Sequence, residues 1–386
     1  MKLMLSICLF FMMLDVQAIE ICDKGSDSGI AETAENLDFV LSETNQAEII
    51  WQDKLAKYIL QVGDSDLKVL ALSQLDLMSL EAGELFDESL GISPKESLNV
   101  LNQIVTDDNT ATQTLLIARS ICHDLNTQVE CDDEKFSHRL LQQAPDNINV
   151  YLPDLEQAVN NSDAELVTII LKQMSLSKNS QSLLPLPAEL ITMVDDFMFE
   201  NPITAVMDEK IIERLPVDLE LTEAEVEFYI KQNTAQMYYI SGVFMHMPAL
   251  RPLLVACEEF QSDPKLCKPI AETLKHNSDT SLMTMIGYGL DEKLEMVYGN
   301  NESLELIKAE YETFKSYQSC LLKNHALLAD ARIEFETEFV QIMTQGGHEG
   351  RNLEQAAMYL YTKYNKVLPE TAVNPQSCGL RYIEPS

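Results

Sequence analysis

The stretch LQQAPDNINVYLPDLEQAVNNSDAELVTIILKQM, Leu141–Met174, decides how the chain is read. Pro145, Asp146 and Asn147 suit the opening of a helix, because proline presets φ and short polar side chains accept from nearby backbone N–H groups. Tyr151, Leu155 and Ala158 follow at helical spacing and define one buried face. Asn161, Ser162 and Asp163 break the apolar pattern and turn the chain, and Leu166, Ile169, Ile170 and Leu171 are expected to bury a second helix. The segment therefore predicts helix, turn, helix.

A related pattern precedes it. In LAKYILQVGDSDLKVLALSQLDLM, Leu55–Met78, Gly63 and Asp64 stand in the turn, and Leu67, Leu70, Ala71 and Leu75 form the stripe after it. Asp108 and Asn109, followed by Leu115, Leu116 and Ala118, open another unit of this kind. On these residues the stretch from Leu55 to Met174 resembles the tetratricopeptide repeat family in degenerate form, with Ser162 and Asp163 where that family has a Gly-Asp-like pair. The resemblance implies stacked helix hairpins in an α-solenoid, whose surfaces bind other proteins. Degenerate repeats with cysteine-closed loops also resemble uncharacterised secreted helical-repeat proteins of bacteria, a likeness that implies no activity.

Helical periodicity continues to the C-terminal side. Gly 13 and Pro 14 in 386 residues are few, and alternating apolar and polar runs are scarce, so the chain is expected to be all-α. The expected architecture is a degenerate TPR-like α-solenoid or two helical bundles, with local disulfide-closed loops. Leu304, Ile307, Tyr311, Phe314 and Leu321 share one stripe of a helix, or helix pair, spanning 303–344 and breaking near Asn324. Asp279 is the expected cap of another helix, and Pro269 the expected start of the one before it. The Ser-rich, Pro-bearing run LSKNSQSLLPLPAEL, Leu176–Leu190, marks a boundary between helical halves. The predicted organisation is a signal peptide over 1–18, a flexible mature N-terminus over 19–35 and a TPR-like half over 36–176. A linker over 177–187, a second helical half over 188–368 and a nonhelical tail over 369–386 complete it.

The leader reading rests on Lys2, an apolar run from Leu3 to Leu14, and small-residue cleavage spacing at Val16 and Ala18. It predicts a periplasmic or secreted protein with no membrane insertion after cleavage, since no later apolar run approaches the about 18 residues of a span. The formal charge is -35. Lys2 and Asp15 cancel within the leader, so cleavage leaves that value unchanged. Such a surface repels phosphate backbones, which excludes nucleic acid as an expected partner.

Seven cysteines follow the leader. In an oxidising compartment disulfides are the default. Sequence proximity pairs Cys122 with Cys131 and Cys257 with Cys267, which leaves Cys320 for Cys378 and Cys22 as a free or intermolecular thiol. The alternatives at ICHDLNTQVEC, Ile121–Cys131, are weaker. Zinc wants close ligand pairs such as CxxC, which this spacing lacks, and no thioredoxin-like pattern surrounds it. His276 beside the second pair and His246 between Met245 and Met247 are the other metal-capable residues weighed; the Met residues suit irregular core filling. GGHEG, Gly346–Gly350, matches the GxH start of a motif in imelysin-like helical proteins, but Arg351 stands where that motif has Glu.

No catalytic set, metal set or cofactor is expected. The chain is expected to be an exported, noncatalytic helical-repeat protein that binds a protein or peptide partner in the cell envelope. The competing class is a metal-handling protein or metal-dependent enzyme whose site forms only in the fold, for example from His246 or His325 with Glu334.

Overall fold

The computed structural model describes residues 43–82, 90–126, 128–202, 223–246, 249–258, 264–327, 337–364, 366, 368, 371–379 and 381–382. The leader, the segment 19–35 and Cys22 lie outside the described residues, as does Glu334.

The all-α expectation holds: every regular element among the described residues is helical. The elements are α1 Glu43–Val62, α2 Ser65–Ala82, α3 Pro94–Thr106, α4 Thr112–Leu125, α5 Asp133–Gln143, α6 Leu152–Asn160, α7 Ala164–Met174 and α8 Ala188–Glu200. Then come α9 Glu223–Met245, α10 Arg251–Glu258, α11 Pro264–Asn277, α12 Ser281–Tyr298, α13 Asn301–Leu327, α14 Thr337–Thr344 and α15 Glu349–Tyr364. Short 3-10 turns occupy Ile148–Tyr151 and Pro375–Cys378.

The opening stretch folds as helix, turn, helix. Asn147 accepts from the Asn149 N–H to start the 3-10 turn that leads into α6. Ser162 takes a left-handed conformation at φ 55°, and Asp163 caps α7 by accepting from the Leu166 N–H at 3.0 Å. Tyr151, Leu155 and Ala158 are buried as expected. The second stripe is corrected: Val167, Ile170, Leu171 and Met174 are buried, while Leu166 and Ile169 are 41% and 52% exposed. The i, i+3, i+4, i+7 set points inward, and the two outliers lie off that stripe.

One buried apolar cluster runs from Trp51 to Leu294, so residues on both sides of 177–187 share a core. The closest join is α9 on α2. A Cβ on Gly242 would clash with Leu70 Cδ2, and on the neighbouring α1 the Gln52 carbonyl accepts from the Tyr238 hydroxyl at 3.0 Å. A second cluster of Tyr288, Ile307, Phe314, Tyr317, Leu321 and Ala357 joins α12, α13 and α15; of the predicted α13 stripe it contains Ile307, Phe314 and Leu321, Tyr311 packs against it half-buried, and Leu304 lies outside it. Helix α13 runs through Asn324 and ends at Leu327, and α14 begins at Thr337; the Asn324 side chain pairs with the tail. Helix α11 begins at Pro264, with Pro269 inside its first turns. Pro269 is the sixth residue of the helix, beyond the first four N–H groups that lack an intrahelical acceptor, so it removes one i→i−4 hydrogen bond.

Helices α11 and α12 cross closely at Gly287. A Cβ there would lie 2.6 Å from the Lys275 backbone N and 2.8 Å from Leu274 Cβ, whereas one on Gly289 would meet nothing within 4 Å. Gly287→Ala is expected to lower the urea-unfolding free energy by about 1–3 kcal/mol through overpacking. Gly289→Ala is expected to raise it by about 0.5–1 kcal/mol through helix propensity. Equal effects at the two sites would refute the close crossing.

Candidate functional site

Polar groups converge where residues 177–187 meet the two turns that follow α11 and α14. This strap is extended and hydrogen-bonded on both sides. Toward the N-terminal helices, the Ile148 N–H donates to the Asn179 carbonyl at 2.9 Å, and the Asn147 amide both accepts from the Gln181 N–H and donates to its carbonyl. Toward the C-terminal helices, the Ser180 N–H donates to the Asn277 carbonyl, the Asp279 N–H to the Ser180 carbonyl and the Leu186 N–H to the Thr344 carbonyl, each at 3.0 Å. Ser180 and Leu184 are buried. Pro185 lies against Gly346, where a Cβ would come within 2.8 Å.

Asp279 is the centre of this junction, and its role corrects the sequence expectation. Thr280 is the cap of α12, accepting from the Met283 N–H at 3.1 Å. That frees the Asp279 carboxylate to accept from the Ser182 and Leu183 N–H groups, both at 2.8 Å. Burial pushes its pKa up to about 6, against the lowering effect of those backbone donors. Glu349 comes from the GGHEG turn. Its N–H donates to the Asp279 carbonyl at 2.8 Å, and its carboxylate accepts from the Ser281 N–H at 2.6 Å, at the positive end of α12. Burial raises the Glu349 pKa, hydrogen bonds from Ser281 offset part of this, and Asp279 adds to the rise. On α9, Tyr239 is pushed well above the ordinary phenol value by burial and by both acids.

A third carboxylate, Glu354, is fully buried one turn along α15. It accepts from the Tyr317 hydroxyl, from the Arg381 N–H and from the Tyr382 N–H at 2.9 Å, so it holds the C-terminal tail. His348 packs on Tyr382 at 4.2 Å between ring centroids, and burial lowers its pKa, with Arg351 acting the same way. The GGHEG turn thus supplies a half-buried acid, its carboxylate turned onto the Ser281 N–H, and a packed imidazole. Asp279, Glu349 and Glu354 accept from backbone N–H groups, a structural chemistry that their residue types alone did not announce.

Charged groups are buried elsewhere too. Asp291 on α12 is inaccessible and accepts from both Lys268 and Lys275 of α11, while Lys268 also reaches Glu295 at 2.8 Å and Lys275 reaches Glu272 at 2.8 Å. Burial works against the Lys275 ammonium, yet its bonds to Asp291 and Glu272 hold its pKa above the ordinary lysine value. Arg119 on α4 is buried between Asp133 and Asp154.

The three expected cysteine pairs lie at disulfide distance. Cys122–Cys131, Cys257–Cys267 and Cys320–Cys378 have Cα separations of 5.6, 5.9 and 5.7 Å. His123 is exposed but sits in the last turn of α4, which continues past Cys122 to Leu125. His276 is exposed and lies 3.3 Å from Glu272. His246 is buried with Nδ1 3.4 Å from Ser120 Oγ. The side chains of Met245 and His325, and the whole of Met247, lie outside the described residues. Among the described residues no group of three or more His, Cys, Asp or Glu is placed to hold a metal ion.

Among the described residues, large apolar side chains are exposed at several places, four of them on one hairpin. At the α12–α13 hairpin, Met296, Val297, Tyr298 and Leu306 are 58%, 69%, 51% and 61% exposed. Glu292, Glu295, Glu302, Glu305, Glu310 and Glu312 lie on the same hairpin, with only Lys293 and Lys308 opposing them over that span.

No protein-family model, curated protein or solved structure matches the chain. Among the described residues, no helix is long and apolar enough to cross a membrane.

Proposed function

We propose that the protein is an exported, noncatalytic, helical-repeat-like protein that binds another protein through the α12–α13 hairpin. The observation that carries this reading is the exposed set Met296, Val297, Tyr298 and Leu306, because large apolar side chains clustered in water mark interaction sites more often than chance surface. The acidic rim favours a partner with an apolar contact surface and basic flanks. A second copy of this chain, with its formal charge of -35, would meet like charge there. Export is supported by the three cysteine pairs and by the leader-like start of the sequence. The helix hairpins α4–α5 and α6–α7 support the repeat-like architecture.

Site-specific photo-crosslinking tests this. A photoreactive residue replacing Tyr298, exposed to extract of the protein's native compartment, is expected to give discrete adducts that the same residue at exposed Lys172 does not. Equal labelling at both positions would overturn the hairpin as the binding surface. Stoichiometric metal in protein purified from that compartment would overturn the noncatalytic reading.

A further inference from the structure

The three cysteine pairs differ in their surroundings. Cys122, Cys131, Cys257 and Cys267 are buried in the main core at 0%, 6%, 1% and 0% exposure, whereas Cys320 and Cys378 are only half-buried. Cys320 also lines an open groove of about 460 Å³, together with Lys315, Ser316, Ser319, Lys323 and Val373. The groove residues 315, 316, 319, 320 and 323 fall on one face of α13, and Val373 comes from the tail that Cys378 staples down.

We propose that Cys320–Cys378 is a thiol–disulfide exchange site, reached through this groove by an external dithiol. The dithiol's thiolate attacks Cys320 Sγ, the S–S bond breaks and Cys378 leaves as a thiolate. The second thiol of the reagent, deprotonated to solvent, then attacks its own sulfur in the mixed disulfide. That step releases the Cys320 thiolate and the oxidised cyclic reagent, so two electrons pass from the dithiol to the protein. Lys315 and Lys323 supply positive charge on the groove face, which favours an arriving thiolate and stabilises the departing one. Lys315 is already shared with Glu312 and lies 4.6 Å from the Tyr311 ring centre, so Lys323 is the less committed of the two. After exchange the tail keeps its hydrogen bonds between Asn324 and Val373, and the Arg381 and Tyr382 N–H groups still donate to the Glu354 carboxylate. The buried pairs stay closed, because thiolate access governs the rate.

The test is graded reduction of the full chain with dithiothreitol under native conditions, quenched by alkylation and read cysteine by cysteine with mass spectrometry. Cys320 and Cys378 are expected to be labelled on the order of ten-fold faster or more than the other four paired cysteines. Simultaneous labelling of all six, or earlier labelling of Cys122 and Cys131, would overturn the proposal. A K315Q/K323Q variant with unchanged thermal midpoint is expected to reduce several-fold more slowly, on the order of the loss of two nearby charges. An unchanged rate in that variant would overturn the role given to the lysines.

Discussion

Asp291→Ala is expected to destabilise the protein by about 3–5 kcal/mol, as urea-unfolding free energy, the range for removing one partner of a buried ion pair. Asp291 has no exposed surface and joins α11 to α12 by accepting from Lys268 and Lys275. Without it the Lys275 ammonium, itself nearly inaccessible, keeps only Glu272 and the Tyr288 ring, 5.7 Å away. Lys268 is more exposed and retains Glu295, so the cost falls mainly on Lys275. Replacing both partners, as Asp291→Leu with Lys275→Met, is expected to recover most of the loss, since no uncompensated charge then remains. If the single and double replacements cost the same, the penalty is one of packing and the electrostatic account fails.

The second large effect is on pH. Asp279 has a folded pKa of about 6 against 3.8 as its ordinary value, so between these limits the folded state binds more proton than the unfolded chain. Stability from this group is therefore greatest below the unfolded pKa and is lost as pH rises through the folded one. The full difference is about 3 kcal/mol, of which about half is reached between about pH 7.5 and about pH 5. Glu349, also raised, acts in the same direction; His348, lowered, acts in the opposite one, and Tyr239 does not titrate in this range. Asp279→Asn isolates the contribution. The wild-type protein is expected to gain urea resistance on acidification, and the variant to gain about 1.4 kcal/mol less by about pH 5. Parallel pH profiles for the two proteins would show that Asp279 is not the titrating group.

Much of the architecture was legible because it depends on local pattern. Helical spacing placed Leu155 and Ala158 inside, and Gly63 with Asp64 in a turn where Asp64 caps α2 by accepting from the Leu67 N–H. Short sequence separation made Cys122–Cys131 and Cys257–Cys267 readable, and elimination then assigned Cys320 to Cys378. The misreadings share a cause. Leu166 and Ile169 are apolar and helical, but which stripe faces inward depends on what the helix packs against. Asp279 and Thr280 are adjacent cap-capable residues, and only the arrival of the strap at Ser182 decides which one caps. Glu349 stood in a turn already marked by Gly346, Gly347 and His348; its pairing with the Ser281 N–H had no local signature.

Composition, periodicity and cysteine spacing by themselves determined an all-α fold class, a strongly negative charge and the two local cysteine loops, because each of these follows from near neighbours or from totals. The tertiary structure alone decided that Asp279 and Glu354 are enclosed and Glu349 half-enclosed as acceptors for backbone donors, and that Asp291 lies between two lysines. It also decided that Cys320 opens on a groove while Cys122, Cys131, Cys257 and Cys267 are buried in the main core. Burial and hydrogen-bond partnership arise from segments far apart in the chain, and the same carboxylate is a surface charge or a keystone according to what the fold lays across it.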